Sequence, residues 1–311
     1  MSRVLITGAG GYIGRLLGER LAAGHTVLGL DVRVPADLPF ECRQGDIRDP
    51  ALAELMREWR IDTVVHLAAV LEDSGNRARD HDIDVNGTRN VLDACLIAGV
   101  TQLIVTSSGA AYGYHPDNPA WLDEQDPLRG NPEFAYSDHK RLVEEMLAGY
   151  RHRHPDLRQL ILRPGTVLGE STRNQITALF ERKRILAIAG SDSPFVFVWD
   201  QDVVGAIARG VETGAEGIYN LAGDGALTVR QVASILDKPL LVLPAGVLRA
   251  VLWLGHRLGL TVHAPEKINF LRYRPVLGNR RLKEEFGYYP QKTSEQTFRF
   301  FAERARARGQ L

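Results

Sequence analysis

The feature that most constrains this chain lies in its first residues. Arg3-Val4-Leu5-Ile6 reads as a short apolar strand, and Thr7-Gly8-Ala9-Gly10-Gly11-Tyr12-Ile13-Gly14 follows it at once. An amphipathic stretch from Tyr12 to Ala23 comes next. A strand, a glycine loop and a helix in direct succession form the setting in which backbone closely approaches a pyrophosphate. Gly8 allows the tight turn, Gly11 lets the backbone reach the phosphates, and Gly14 lets helix and strand pack closely. The helix start, with Tyr12 and Ile13, offers free N–H groups and the positive end of a dipole. The loop therefore predicts dinucleotide binding.

The pattern continues. Strands are predicted at Val4–Thr7, Thr26–Asp31, Phe40–Gln44, Thr63–Leu67, Leu103–Ser107 and Gln159–Arg163, with helices at Tyr12–Ala23, Ala51–Trp59, Val85–Ala98 and Tyr136–Arg153. Val64-Val65-His66-Leu67-Ala68-Ala69 is a near-continuous apolar run, as in a strand buried on both faces. Repeated βαβ units imply a parallel sheet covered by helices on both sides. After Pro164 glycines and prolines scatter, and helices at Val203–Thr213, Val229–Asp237, Asn279–Phe286 and Ser294–Arg308 sit among loops. The 311 residues thus predict an α/β protein. Residues 1–168 are expected to form a Rossmann-type, doubly wound, NAD-binding domain, and 169–311 a smaller α/β substrate lobe with segments returning to the first.

Apolar residues at 44% and charged residues at 24% exclude a disordered, collagen-like or coiled-coil chain. Lys+Arg and Asp+Glu both number 38, so no overall basic field suits nucleic acid. Cys42 and Cys95 form no CxxC pair and read as thiols in a reducing cytosol. No charged leader precedes a long apolar run, and Ala245–Leu260 is broken by Arg249, His256 and Arg257, too short and too charged for a membrane span. A soluble cytoplasmic protein with a small-molecule substrate and neither nucleic-acid nor membrane partners is expected. The histidines show no HExxH and no Cys/His cluster, so no metal site is expected.

Several side chains suggest chemistry. Asp31 ends the second strand, where a carboxylate accepts ribose hydroxyls and repels a 2′-phosphate, favouring NAD over NADP; Arg33 could instead serve that phosphate. Asp46 follows the third strand and could accept from an adenine amino group with Ile47 covering the ring, or cap the helix ahead of Pro50, a role that suits Asp49 better. Tyr136 and Lys140 are four apart and share a helix face. An ammonium beside a phenol favours the phenolate, making Tyr136 a candidate proton donor and acceptor for a carbonyl/alcohol pair. Thr106-Ser107-Ser108 ends the fifth strand on the ligand-binding edge, where a hydroxyl can orient a reacting oxygen or merely cap the strand.

Together these residues resemble the extended short-chain dehydrogenase/reductases, a group that includes nucleotide-sugar epimerases and dehydratases and 3β-hydroxysteroid dehydrogenases. The resemblance runs to about Phe298. It is carried by Thr7 to Gly14, Asp46-Ile47, Leu67-Ala68-Ala69, Asn86 within Asp84-Val85-Asn86-Gly87-Thr88, Thr106-Ser107-Ser108 with Tyr112-Gly113, Tyr136 with Lys140, and Arg163-Pro164-Gly165-Thr166-Val167-Leu168-Gly169. The resemblance implies that Ser108 positions the substrate oxygen, Tyr136 is the acid/base, and Lys140 holds the nicotinamide ribose and lowers the tyrosine pKa. It implies that Ala69 and Ser107 line the cofactor beside Leu67 and Ala68, and that Asn86 supports the site from its helix. Pro164, Gly165 and Val167 would face the carboxamide side. It also implies a homodimer through the helices at Val85–Ala98 and Tyr136–Arg153.

The second half departs from the nucleotide-sugar pattern. Thr166 stands where an asparagine holds the sugar-nucleotide phosphates, and Phe195 and Trp199 stand where that group carries an arginine clamp and a histidine. Arg173, Arg182 or Arg184 could replace the clamp. Phe195, Phe197, Trp199 and the apolar stretch Leu243–Leu260, read as lobe core or as a pocket wall, favour an uncharged or partly apolar substrate. Three readings follow. The favoured one is an NAD-dependent oxidoreductase acting on a secondary alcohol or ketone through Ser108, Tyr136 and Lys140. The alternative is a nucleotide-sugar epimerase or dehydratase using bound NAD catalytically. The third is a dinucleotide sensor, which would have no need of an acid/base.

Overall fold

The computed structural model describes residues 1–71, 74–257 and 268–311. The strands are β1 Arg3–Thr7, β2 Thr26–Asp31, β3 Glu41–Gln44, β4 Thr63–His66, β5 Gln102–Thr106, β6 Arg158–Pro164, β7 Thr166–Leu168, β8 Ile185–Ile188, β9 Phe197–Trp199, β10 Gly217–Leu221 and β11 Leu240–Leu243. The helices are α1 Tyr12–Ala22, α2 Leu52–Glu58, α3 Arg77–His81, α4 Gly87–Ala98, α5 Ala135–Arg153, α6 Thr177–Phe180, α7 Asp200–Thr213, α8 Val229–Leu236, α9 Ala245–Arg257, α10 Ile268–Arg272, α11 Arg280–Glu284 and α12 Ser294–Ala307. Seven strands form one parallel sheet in the order β10-β6-β5-β4-β1-β2-β3.

Strand alternation sorts the core onto two faces. Leu5, Leu28, Val64, Leu103 and Ile161 meet α2, α4 and α5 on one side. Val4, Ile6, Val65, Ile104 and Leu160 meet α1 and α7 on the other. Each such side chain contributes about 2 kcal/mol by leaving water. Thus α7 and β10, although late in the chain, belong to the large sheet. The remaining C-terminal elements pair β8 with β11 and β7 with β9, both parallel. Phe180, Phe195, Phe197, Phe298 and Phe301 form the aromatic core there. This fold is α/β, a doubly wound parallel sheet with a smaller C-terminal α/β region.

Two local departures matter later. The helix expected from Val85 begins instead at Gly87, after a π-helical turn at Asp82–Asn86. The apolar stretch expected to pack the small lobe or wall a pocket forms α9, yet Val247, Val251, Trp253 and Leu254 are exposed. Leu258 and Leu260 of that stretch lie outside the described residues. Among the described residues no helix is long and apolar enough to cross a membrane.

Candidate active site

β1 has β2 on one side and β4 on the other, so the chain order reverses there. Connections leaving β1 and β4 diverge, and a crevice opens beyond their C-terminal ends. The glycine loop fills its floor. Gly8 has φ +74°, and a Cβ there would lie 2.8 Å from the Ala68 nitrogen; a Cβ at Gly14 would lie 2.3 Å from the Gly8 carbonyl oxygen. Both positions require glycine, which sets the loop tightly against the exit of β4. α1 has neither a side-chain cap at Gly11 nor an acid in its first turn. Its first N–H groups are left for an anion.

A cavity of about 620 Å³ runs from this loop across the ends of the strands. Of the residues predicted from sequence, it is lined by Gly8, Gly11, Tyr12, Ile13, Gly14, Leu67, Ala69, Ser107, Ser108, Tyr136, Lys140, Pro164, Gly165 and Val167. Lys140 reaches from α5 to donate to the Thr106 carbonyl at 3.0 Å, and its Nζ lies 5.7 Å from the Tyr136 ring centroid. The Tyr136 hydroxyl has no protein partner among the described residues, which leaves it for a ligand. Ser108 Oγ accepts from the Ala110 N–H at 3.1 Å, so its proton is free for another acceptor. Ser107 borders the cavity, but its hydroxyl donates inward to Glu144 Oε1 at 2.5 Å.

Asp31, Asp46, Ile47, Ala68 and Asn86 do not line this cavity. Asp31 braces the loop, accepting from the Gly10 N–H at 2.9 Å and the Arg33 N–H at 3.0 Å. Ala68 is the backbone against which Gly8 packs. Ile47 is buried in the core on the α2, α4 and α5 side. Asp46 pairs with Arg48 at 2.6 Å, and Arg48 also reaches Asp82 at 2.7 Å. Hydrogen bonding to Arg48 holds the Asp46 carboxyl below the usual carboxylate range. Asn86 donates to Asp82 at 2.9 Å and is exposed, so it does not support the cavity as the resemblance implied. Asn86 is the last residue of the π turn.

A polar layer beneath the cavity was not read from the sequence. His66 Nδ1 lies 2.7 Å from Thr7 Oγ1, and its Nε2 lies 3.0 Å from Thr88 Oγ1. Thr88 donates its own proton to the Asp84 carbonyl at 2.5 Å, so it accepts from His66 Nε2–H, and Nδ1 accepts from Thr7. Both ring nitrogens of the neutral imidazole are satisfied. Burial, reinforced by the Lys140 charge, lowers the His66 pKa to about 3. Asp84 in turn accepts from the Val70 N–H at 2.8 Å and pairs with His139 Nδ1 at 2.9 Å. Tyr12 donates to Asp200 Oδ2 at 2.5 Å, tying the glycine loop to the start of α7. Among the described residues no group of three His, Cys, Asp or Glu is placed to hold a metal ion.

The far wall carries the residue that sequence reasoning missed. Arg274 follows α10, and its guanidinium lies 3.7 Å from the Phe195 ring centroid. Nη1 donates to the Ser193 carbonyl at 2.8 Å, while the buried Nε has no partner. No carboxylate pairs with it among the described residues. Over the whole residue Arg274 is half-buried because one side borders the cavity; the enclosure of its head lowers its pKa to about 9, so it stays charged at neutral pH. Of the candidate replacement arginines, Arg173 lines the cavity and Arg182 and Arg184 do not. Phe195 lines it too, whereas Phe197 is buried between Phe195 and Phe298, and Trp199 packs against Lys292 and Phe300. The missing signal was tertiary: Arg274 is 79 residues from Phe195 in sequence, and only folding stacks them.

Comparison with known proteins adds to this geometry. The family described as NAD dependent epimerase/dehydratase matches residues 4–222. A protein of Mycolicibacterium smegmatis named UDP-glucose 4-epimerase is 33% identical over 233 residues, covering 67% of this chain and 72% of that one. One from Escherichia coli O157:H7, named N-acetyl-alpha-D-glucosaminyl-diphospho-ditrans,octacis-undecaprenol 4-epimerase, is 36% identical over 182 residues, 58% of this chain and 53% of its own. The crystal structure of the Thermus thermophilus UDP-glucose 4-epimerase in complex with NAD superposes with a TM-score of 0.75 at 26% identity, covering 98% of this chain and 99% of that one.

Proposed function

Because the chain belongs to the NAD-dependent epimerase/dehydratase family, we propose that it epimerises a sugar carried on a diphosphate, with NAD bound and regenerated in each cycle. The carrying observation is Arg274, a guanidinium with no carboxylate partner among the described residues, in the same cavity as Tyr136. An arginine fork is matched to phosphate oxygens. The two named relatives act on sugars with a diphosphate in common, one on a nucleoside and one on a lipid. This reading replaces the favoured expectation of a stoichiometric oxidoreductase acting on an uncharged or partly apolar secondary alcohol or ketone.

The residues fit a dinucleotide. The obligate glycines at 8 and 14 bring backbone to the phosphates, the uncapped α1 supplies N–H donors, and Asp31 stands at the β2 end. When bound, NAD supplies the hydride acceptor and returns the hydride. Tyr136 takes the proton of the sugar hydroxyl as that carbon is oxidised and gives it back on reduction. Lys140, anchored on the Thr106 carbonyl, holds a positive charge beside that phenol. Ser108 directs its free proton to the reacting oxygen. Among the described residues no Asp, Glu or His lines the cavity. A single proton relay suffices for epimerisation, whereas eliminating water would ask for a second acid/base pair; this favours the epimerase within the family.

The test is to release bound nucleotide from purified protein and then supply UDP-sugars and polyprenyl-diphosphate sugars. The expected result is retained NAD, an epimerised sugar and no net NADH. Tyr136→Phe is expected to lower turnover by about 10³ with NAD still bound. Net NADH accumulation with a simple alcohol would restore the oxidoreductase reading.

A further inference from the structure

We propose that α9 seats this protein on an anionic lipid surface. The inference stands apart from the reaction proposed above and revises the expectation of no membrane partner. Of the 13 exposed large hydrophobic residues among those described, six fall between Leu241 and Leu254, and the other seven are spread over the chain. Val247, Val251 and Leu254 are 50%, 59% and 52% exposed and follow an i, i+4, i+7 spacing, so they form one outward stripe of α9. Leu248 and Leu252, on the flank of the helix beside the stripe, are half-buried. Trp253 is 53% exposed beside the stripe, and the Arg257 guanidinium lies 5.3 Å from its ring centroid. Leu241 and Val242 of β11 extend the apolar surface towards the start of the helix.

Charge selects the occupant. β11 and α9, from Leu240 to Arg257, contain Arg249 and Arg257 and no Asp or Glu; Asp237 and Glu266 lie outside them. A groove for a second copy or a folded partner does not require one sign of charge. An apolar stripe rimmed by tryptophan and arginine, with no acid in the segment, matches a helix lying in a headgroup layer. The arginine stems follow the apolar surface while their heads reach lipid phosphates. The 13 residues of α9 span about 20 Å, too short to cross a hydrocarbon core, so the helix lies along the surface.

The test uses the full chain with extruded vesicles of phosphatidylcholine alone or with one third phosphatidylglycerol, read by co-sedimentation and by the emission shift of Trp253 against a Trp253→Phe control. Binding is expected on the anionic vesicles only, and is expected to fall as salt rises. Arg249→Gln with Arg257→Gln is expected to weaken it about 30-fold. Val251→Ser with Leu254→Ser is expected to abolish it while leaving NAD binding and thermal unfolding unchanged, since both side chains are exposed. Failure to bind anionic vesicles overturns the proposal, as does equal binding to neutral ones. So does a change from dimer to monomer in the serine variant without vesicles, which would assign the stripe to a second copy.

Discussion

Two arginines, one in each half of the molecule, are withdrawn from water in opposite ways. Arg163, at the end of β6, is 3% exposed and grips Glu144 with contacts of 2.6, 2.9 and 3.0 Å. Its other arm donates to Tyr112 Oη at 2.7 Å and the Glu124 carbonyl at 3.1 Å. Against the lowering effect of burial, Glu144 raises its pKa, so it remains a fixed cation. Among the described residues Arg274 has a phenylalanine ring, one carbonyl and no carboxylate. A buried charge is tolerated when its partners are built in or when a ligand brings them. Arg163 is of the first kind and belongs to the frame. Arg274 is of the second kind and belongs to the site.

The largest effect that tests this contrast falls on the frame. Glu144→Ala leaves Arg163 charged and unpaired in the core and is expected to cost about 3–5 kcal/mol, measured by urea unfolding. It also strips Ser107 of its acceptor. An unchanged midpoint would mean that Arg163 is hydrated after all, and the contrast would fail. The next effect falls on the site. Arg274→Met keeps much of the side-chain volume and removes the fork. The Michaelis constant for a diphosphate-linked sugar is expected to rise about 100-fold, with stability unchanged or improved. Arg274→Lys keeps the charge without the planar fork and is expected to fall between. Loss of stability with an unchanged Michaelis constant would place Arg274 with Arg163 instead.

The same contrast explains what was legible in the sequence. The frame is written locally. The glycine loop is contiguous, Tyr136 and Lys140 share one helix face, and strands buried on both faces appear as apolar runs. The glycine loop, Ser108, Tyr136 and Lys140 were read on that basis, while Leu67, Ala69, Ser107, Pro164, Gly165 and Val167 came only with the family resemblance; all of them line the cavity. Hidden features depend on register between distant segments. Glu144 lies 19 residues from Arg163, and Arg274 meets Phe195 across the small lobe. Asn86, whose motif is intact, lies outside the cavity: it ends the π turn, is exposed and donates to Asp82. The α9 stretch was read as core because apolar periodicity says that a helix has an apolar face, not what covers that face.

The smallest expected effect concerns the polar layer at the end of β4. His66, at the end of β4, keeps its neutral form because burial penalises the charged imidazolium and Lys140 opposes a second cation nearby, with Asp84 partly offsetting it; Thr7 and Thr88 satisfy its two ring nitrogens. Its folded pKa of about 3 lies below the ordinary histidine value near 6.5. Between these values the unfolded chain binds a proton that the native protein refuses. Stability is therefore present in full above the unfolded pKa and is lost as pH falls towards 3. Lowering the pH from 7 to 5 is expected to remove about 2 kcal/mol through this residue. His66→Gln, which cannot titrate, is expected to flatten the urea midpoint across that range relative to the parent chain. If the two pH profiles run parallel, His66 titrates in the native state much as it does in the unfolded chain, and its site is open to water.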